Sequence, residues 1–195
     1  MSTSSALPVL RTADLPTVHR AARRLLDLVT PLEDYVVTAE IRELPLAEAQ
    51  VMAASLPGAV VSAVDHYGTV ANDEIKRGIA AGDLWVRTSL LPVSFRLETR
   101  PARLVEETFI GLVGSRTGYL EWDFFAWPAV AELGLRERDK DARVQIAINS
   151  QDVYQEIPST DHTLFIHLRE GDMERGEWLA RQIDLRPEGP VQHGS

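Results

Sequence analysis

The chain reads as an α+β protein, a mainly antiparallel sheet with several helices packed on one face or at its ends. Three observations carry that reading. Short strand-like segments succeed one another over residues 84–168, of which Val93–Thr99 and Tyr119–Trp127 keep a clear two-residue period, the mark of a strand with two different faces. They follow one another through short loops, which implies antiparallel pairing. Segments of helical period stand before and after them, around residues 14–30 and 172–185.

Each element has its own local reason. Residues 1–10 show no sustained period and read as a flexible tail. Asp14-Leu15-Pro16 supplies an N-cap and an early-turn proline for a helix to about Thr30. There Val18, Ala22, Leu25, Leu26 and Val29 share one face, with Arg20, Arg23, Arg24 and Asp27 opposite. From Asp34 to Glu43 the period becomes two, Tyr35, Val37, Ala39 and Ile41 alternating with Val36, Thr38, Glu40 and Arg42. Leu46–Leu56 is alanine-rich and helix-favouring, and Pro57-Gly58 stops it. Ala59–Val64 reads as a strand, and the strand-helix-strand run is expected to place two parallel strands side by side. Asn72 caps a helix through Ala81, with Asp73 and Glu74 where the helix dipole favours acids.

Beyond Gly82, the one plausible internal boundary, Leu84–Leu91 and Val93–Thr99 read as strands. Ala102–Val113 and Tyr119–Trp127 read as a hairpin around Gly114-Ser115-Arg116-Thr117-Gly118. Pro128 opens a short helix to about Leu133. Arg143–Asn149, Val153–Ile157 and His162–Leu168 read as strands, and Asp172 caps a last helix to about Leu185. Residues 187–195 read as a second tail. One α+β domain over residues 11–186 is the expected organisation.

Composition narrows the function classes. There is no cysteine among the 195 residues, which excludes disulfides, thiolate metal sites and cysteine nucleophiles. The longest apolar runs fall far short of the roughly 20 residues that span a bilayer, and Met1–Ser5 lacks the start of a signal peptide. A cytoplasmic protein with no membrane partner is expected, and the arginine-rich, lysine-poor composition suggests a bacterial coding bias. The net charge is −9, distributed unevenly: residues 1–100 carry 10 basic and 12 acidic side chains, residues 101–195 carry 10 and 17. An acidic chain repels phosphate backbones and attracts basic surfaces, so no nucleic-acid partner is expected.

The sharpest local feature is Tyr119–Trp127, which holds five of the chain's 13 aromatic residues and two carboxylates. Alternation divides it into an apolar side, Leu120, Trp122, Phe124 and Ala126, and a mixed side, Tyr119, Glu121, Asp123, Phe125 and Trp127. If Val113 pairs with Tyr119, Glu107 lies opposite Phe125. A one-residue slip brings Glu106 and Thr108 beside the two acids instead. The candidate binding residues are therefore Glu107, Tyr119, Glu121, Asp123, Phe125 and Trp127, an aromatic and carboxylate face suited to a cationic group.

Other motifs carry less. Gly111–Gly118 lacks the Lys-Ser/Thr ending of a phosphate loop and reads as a turn. His162 and His167 stand five apart on one strand and point to opposite faces, while Asp65-His66 ends another. No metal, no cofactor and no catalytic residue is assigned. His19, Arg20, Arg23 and Arg24 form a basic helix face whose ordinary meaning is solvation. Trp178 on the last helix is a candidate interface anchor if exposed. The expected function is a non-catalytic acidic binding protein that acts through protein–protein interaction, an inhibitor or immunity-type antagonist of a basic partner. The alternative is a small-molecule binder or enzyme built on Glu121 and Asp123.

Overall fold

The apolar positions on the alternating strands need a common partner layer, and the helices supply it on one side of the sheet. A computed structural model of the chain describes residues 4–63, 72–83, 86 and 91–194. Its strands are β1 (Ser4–Thr12), β2 (Thr30–Leu44), β3 (Val60–Ala63), β4 (Val93–Thr99), β5 (Gly118–Ala126), β6 (Arg143–Ile148), β7 (His162–Arg169) and β8 (Gln192–Gly194). The helices are α1 (Leu15–Leu26), α2 (Leu46–Ser55), α3 (Asn72–Ala81), α4 (Arg103–Val113) and α5 (Met173–Gln182). Among the described residues the eight strands form one sheet in the order β3-β4-β2-β5-β6-β7-β1-β8, every pairing antiparallel. This is an α+β fold.

The helix-covered face holds the main core. Val37, Ala39 and Ile41 of β2, Leu120 and Trp122 of β5, Val144 and Ile146 of β6 and Leu164 and Ile166 of β7 join Val18, Ala22 and Leu25 of α1 in one buried cluster. The opposite face has a smaller apolar cluster, Ala6, Ala147, Val153 and Phe165, under the turn that links β6 to β7. Over β4, β2 and β5 that second face presents mainly polar and charged side chains.

Several segments depart from the local reading. Residues 4–10 are not a tail: they belong to β1, whose Ser4–Val9 are buried and which pairs with β7 from Ser4↔Arg169 to Thr12↔His162. Pro8 is accommodated because the register shifts between Pro8 and Leu10, and a bulge needs no ladder donor there. At the other end, residues 192–194 pair with β1, and Glu188 binds the backbone N–H of Arg11 at 2.8 Å.

Ala102–Val113 is a helix rather than the first strand of a hairpin. Its β-branched and aromatic residues imitate a strand, but Val105, Phe109 and Val113 recur at i, i+4 and i+8 with Glu106 beside them, and that stripe faces the core. Tertiary burial outweighs local propensity. Gly114, with φ 54°, ends the helix. The expected parallel pair is also absent, since β4 lies between β2 and β3 and pairs with both. Val153–Ile157 is a turn, because the Asp152 carboxylate accepts the N–H groups of Tyr154, Glu156 and Ile157 at 3.2, 3.1 and 2.7 Å. The helix expected from Pro128 is reduced to a 3₁₀ turn at Ala131–Leu133. Asp65-His66 and most of the expected strand Leu84–Leu91 lie outside the described residues.

Candidate functional site

Strand β5 lies between β2 and β6, so its side chains are placed by pairing on both edges. Glu121 is opposite Thr38 of β2 and Gln145 of β6, and Tyr119 is opposite Glu40 and Ala147. Asp123 is opposite Val36. Tyr119, Glu121 and Asp123 thus stand together on the face that the helices leave open, as alternation requires.

The pattern breaks at Phe124, whose φ of 60° reverses the phase of the strand. Phe124 turns outward and is 46 % exposed. Phe125 and Trp127, expected beside the acids, are fully buried. Phe125 meets Tyr35 edge-on at 5.8 Å and Trp127 at 4.9 Å, while Trp127 Nε1 donates to the carbonyl of His167 at 2.8 Å. Both belong to the main core. Glu107 is also displaced from the expected face: it lies on α4 and accepts from Arg103 Nε at 2.7 Å. The structure therefore brings together three of the six expected residues.

Around those three runs a mixed polar network. Glu40 accepts from the Tyr119 hydroxyl at 3.1 Å and from Arg42 Nε at 2.7 Å. Arg143 approaches Glu121 at 3.6 Å, with side chains 14 % and 19 % exposed. Burial pushes the Glu121 carboxyl above its ordinary range, and Arg143 offsets only part of that rise. Burial raises Asp123 as well, against the N–H of Phe124 at 2.7 Å and the charge of Arg143, while Asp34 and Asp141 add to the rise. Tyr119 is raised by burial and by Glu40. These acids are ionised at a disadvantage, because low dielectric disfavours the charged form. Neither Glu121 nor Asp123 lines any of the principal clefts among the described residues.

His162 and His167 are engaged structurally. His162 Nδ1 accepts the N–H of Asn149 at 3.0 Å. His167 Nε2 lies 2.8 Å from Gln145 Oε1, and burial pushes its pKa down to about 3, so it is neutral at pH 7. Among the described residues no group of three or more His, Asp or Glu side chains is arranged to hold a metal ion. Nor is any helix of the described chain long and apolar enough to cross a membrane. Trp178 is only partly buried and packs against the main core.

A second constellation, on the helix side of the sheet, involves residues that pattern reading left apart. Glu106 of α4 is fully buried. Its Oε2 lies 2.9 Å from His19 Nε2, and its Oε1 accepts from Trp122 Nε1 at 3.2 Å. Arg23 Nη1 reaches both carboxylate oxygens, at 3.3 and 3.4 Å. The His19 ring lies nearly parallel to Trp122, with centroids 6.1 Å apart. Burial pushes the Glu106 pKa up, but the bonds from His19 and Trp122 and the charge of Arg23 outweigh it and hold the group below its ordinary value. The available signal was the helical stripe through Glu106, which would have turned that acid toward α1.

Compared with family models, curated proteins and solved structures, the chain has no match in any of the three.

Proposed function

We propose that the protein is a non-catalytic binding protein whose open sheet face docks a basic surface of another protein, in the manner of an inhibitor or immunity-type antagonist. One observation carries this reading. Glu121 and Asp123 are partly withdrawn from water on the sheet face away from the helices and are raised in pKa for that reason. An arriving Lys or Arg would supply the charge that Arg143 provides only in part, so partner binding and ionisation would reinforce each other.

The surroundings favour a macromolecule over a small ligand. Small-molecule sites are concave, and among the described residues the two acids stand outside the clefts at α1, at α2 and before α5. Protein interfaces combine aromatic residues with a polar rim. Phe124 is exposed at the end of β5, and Tyr154 and Ile157 are exposed on the turn before β7. The carbonyl of Tyr154 accepts from Arg42 at 3.4 Å, which places that turn beside the polar network of β2.

The test is affinity capture from the cells that make the protein, comparing the wild type with a Glu121→Lys/Asp123→Lys variant. A partner with a basic surface should be recovered by the wild type, lost by the variant, and released as ionic strength rises. Equal recovery of every partner by both proteins would remove the open face from the interface.

A further inference from the structure

Two clefts adjoin on the helix side of the sheet, where α1 meets the start of α4. The first, about 440 Å³, is lined by His19, Arg20, Arg23, Arg24, Asp27 and Arg103. The second, also about 440 Å³, shares Arg23 and Asp27 with it. Its lining also includes Leu26, Leu32, Tyr35, Pro101 and Arg100. Five arginines thus line the two adjoining clefts, against the carboxylates of Asp27 and Glu33. That is a quarter of the 20 basic side chains of a chain whose net charge is −9, a concentration opposite in sign to the molecule.

Three of these arginines have replaceable partners. Arg20 lies 4.0 Å from Asp14, Arg24 2.8 Å from Asp184, and Arg103 2.7 Å from Glu107, all between exposed side chains. Pairs of that kind contribute little net stability, so a ligand can exchange for them at small loss. Arg100 is exposed and has no ion-pair partner among the described residues.

Arg23 is different. Its Nη1 is held against the fully buried Glu106, yet its side chain remains 40 % exposed and borders both clefts. One end of the guanidinium is fixed while the rest of its donor fork stays available. A ligand that binds it need not stop the side chain's motion first, and that preorganisation favours affinity.

We propose that the two clefts form one binding site for a small molecule with a phosphate monoester at one end and a flat or apolar group at the other. A phosphate offers several strong acceptors to guanidinium forks that approach from different directions. The wall of Leu26, Leu32, Tyr35 and Pro101 suits an apolar group rather than a second charge. The overall negative charge opposes a long polyanion, which separates this ligand from a nucleic-acid strand. The site lies on the opposite side of the sheet from Glu121 and Asp123 and is independent of the protein partner proposed there.

Phenyl phosphate and inorganic phosphate are the probes, titrated calorimetrically into the full chain. The indole N–H resonance of Trp122, which bonds Glu106 beneath the cleft, reports occupancy. Saturable binding of phenyl phosphate, about tenfold tighter than inorganic phosphate, with movement of that resonance, is the expected result. An Arg100→Ser/Arg103→Ser variant should keep its melting temperature and bind phenyl phosphate about tenfold more weakly or worse. Arg23→Gln should bind still less; should it fail to fold, the double variant decides the matter alone. Absence of saturable phenyl phosphate binding would overturn the proposal, as would unchanged affinity in the double variant. Tighter binding of a short oligonucleotide than of phenyl phosphate would also overturn it.

Discussion

Glu106 Oε2 lies 2.9 Å from His19 Nε2, between side chains that are 0 % and 9 % exposed, and this contact joins α4 to α1 across Trp122. A carboxylate without water is tolerated only when its oxygens are occupied, and here His19, Trp122 and Arg23 occupy them. Glu106→Ala should therefore cost about 1–3 kcal/mol, as for buried donors left without their acceptor. Urea denaturation at neutral pH measures it. The pH dependence has a definite sign. Because the folded pKa is held below the ordinary 4.5, the group stabilises the fold above that value and loses its contribution as the pH falls further. The wild type should lose more stability below pH 4.5 than Glu106→Gln does. Parallel stability curves for the two proteins would show that the carboxylate is not held as described.

Phe124 and Phe125 are adjacent and identical in type, yet one is 46 % exposed and the other fully buried. Phe125→Ala should cost about 3–5 kcal/mol, the usual loss for a core aromatic, and Trp122→Ala should fall in the same range. Phe124→Ala should stay within about 0.5 kcal/mol of the wild type. Chemical denaturation of the three variants separates these outcomes. A larger loss at position 124 than at position 125 would mean that the strand keeps simple alternation through Phe124.

The same pair shows how far the site was legible in the sequence. Alternation placed Tyr119, Glu121 and Asp123 together because pairing on both edges of β5 holds that stretch to a two-residue period. It misplaced Phe125 and Trp127 because the left-handed turn at Phe124 has no residue signature: phenylalanine is not a residue that favours positive φ. Strand β4 and helix α1 were readable from one-sided burial, and β6 and β7, buried on both faces, from short apolar, β-branched runs. Strand β1 was not, since its partner β7 begins 150 residues later in the chain and nothing local marks the pairing. The arginine-lined clefts were hidden for a related reason. Their walls come from α1, the start of β2 and the start of α4, and reading α4 as a strand sent Glu106 to the wrong side.

Glycine tests the two elements of the misread hairpin separately. At Gly118 an added Cβ would stand 2.4 Å from the carbonyl oxygen of Glu40, a close approach of β5 to β2 that only glycine permits. Gly118→Ala should destabilise by roughly 1–3 kcal/mol, as overpacking does. At Gly111, within α4, an added Cβ meets nothing within 4 Å, so Gly111→Ala should stabilise by about 0.5–1 kcal/mol through helix propensity alone. Thermal melts of the two variants should move in opposite directions. Destabilisation by Gly111→Ala would argue against a helix at residues 103–113.

Glu121 and Asp123 should act on stability with the opposite sign to Glu106. Burial raises both pKa values, so the folded chain holds their protons more tightly than the unfolded chain does. Their favourable contribution is complete below the ordinary carboxylate pKa values of 4.5 and 3.8 and is lost as the pH rises through the raised ones. A Glu121→Gln/Asp123→Asn variant mimics the protonated pair at every pH. It should melt higher than the wild type at pH 7 and lose that advantage in acid, below both ordinary values. The same variant should bind the basic partner more weakly at pH 7. A site maintained for binding at the expense of stability gives that combination, since the acids are disfavoured in the free protein and favoured only beneath a cation. A lower melting temperature at pH 7 would show that the ionised pair, through Arg143, supports the sheet instead.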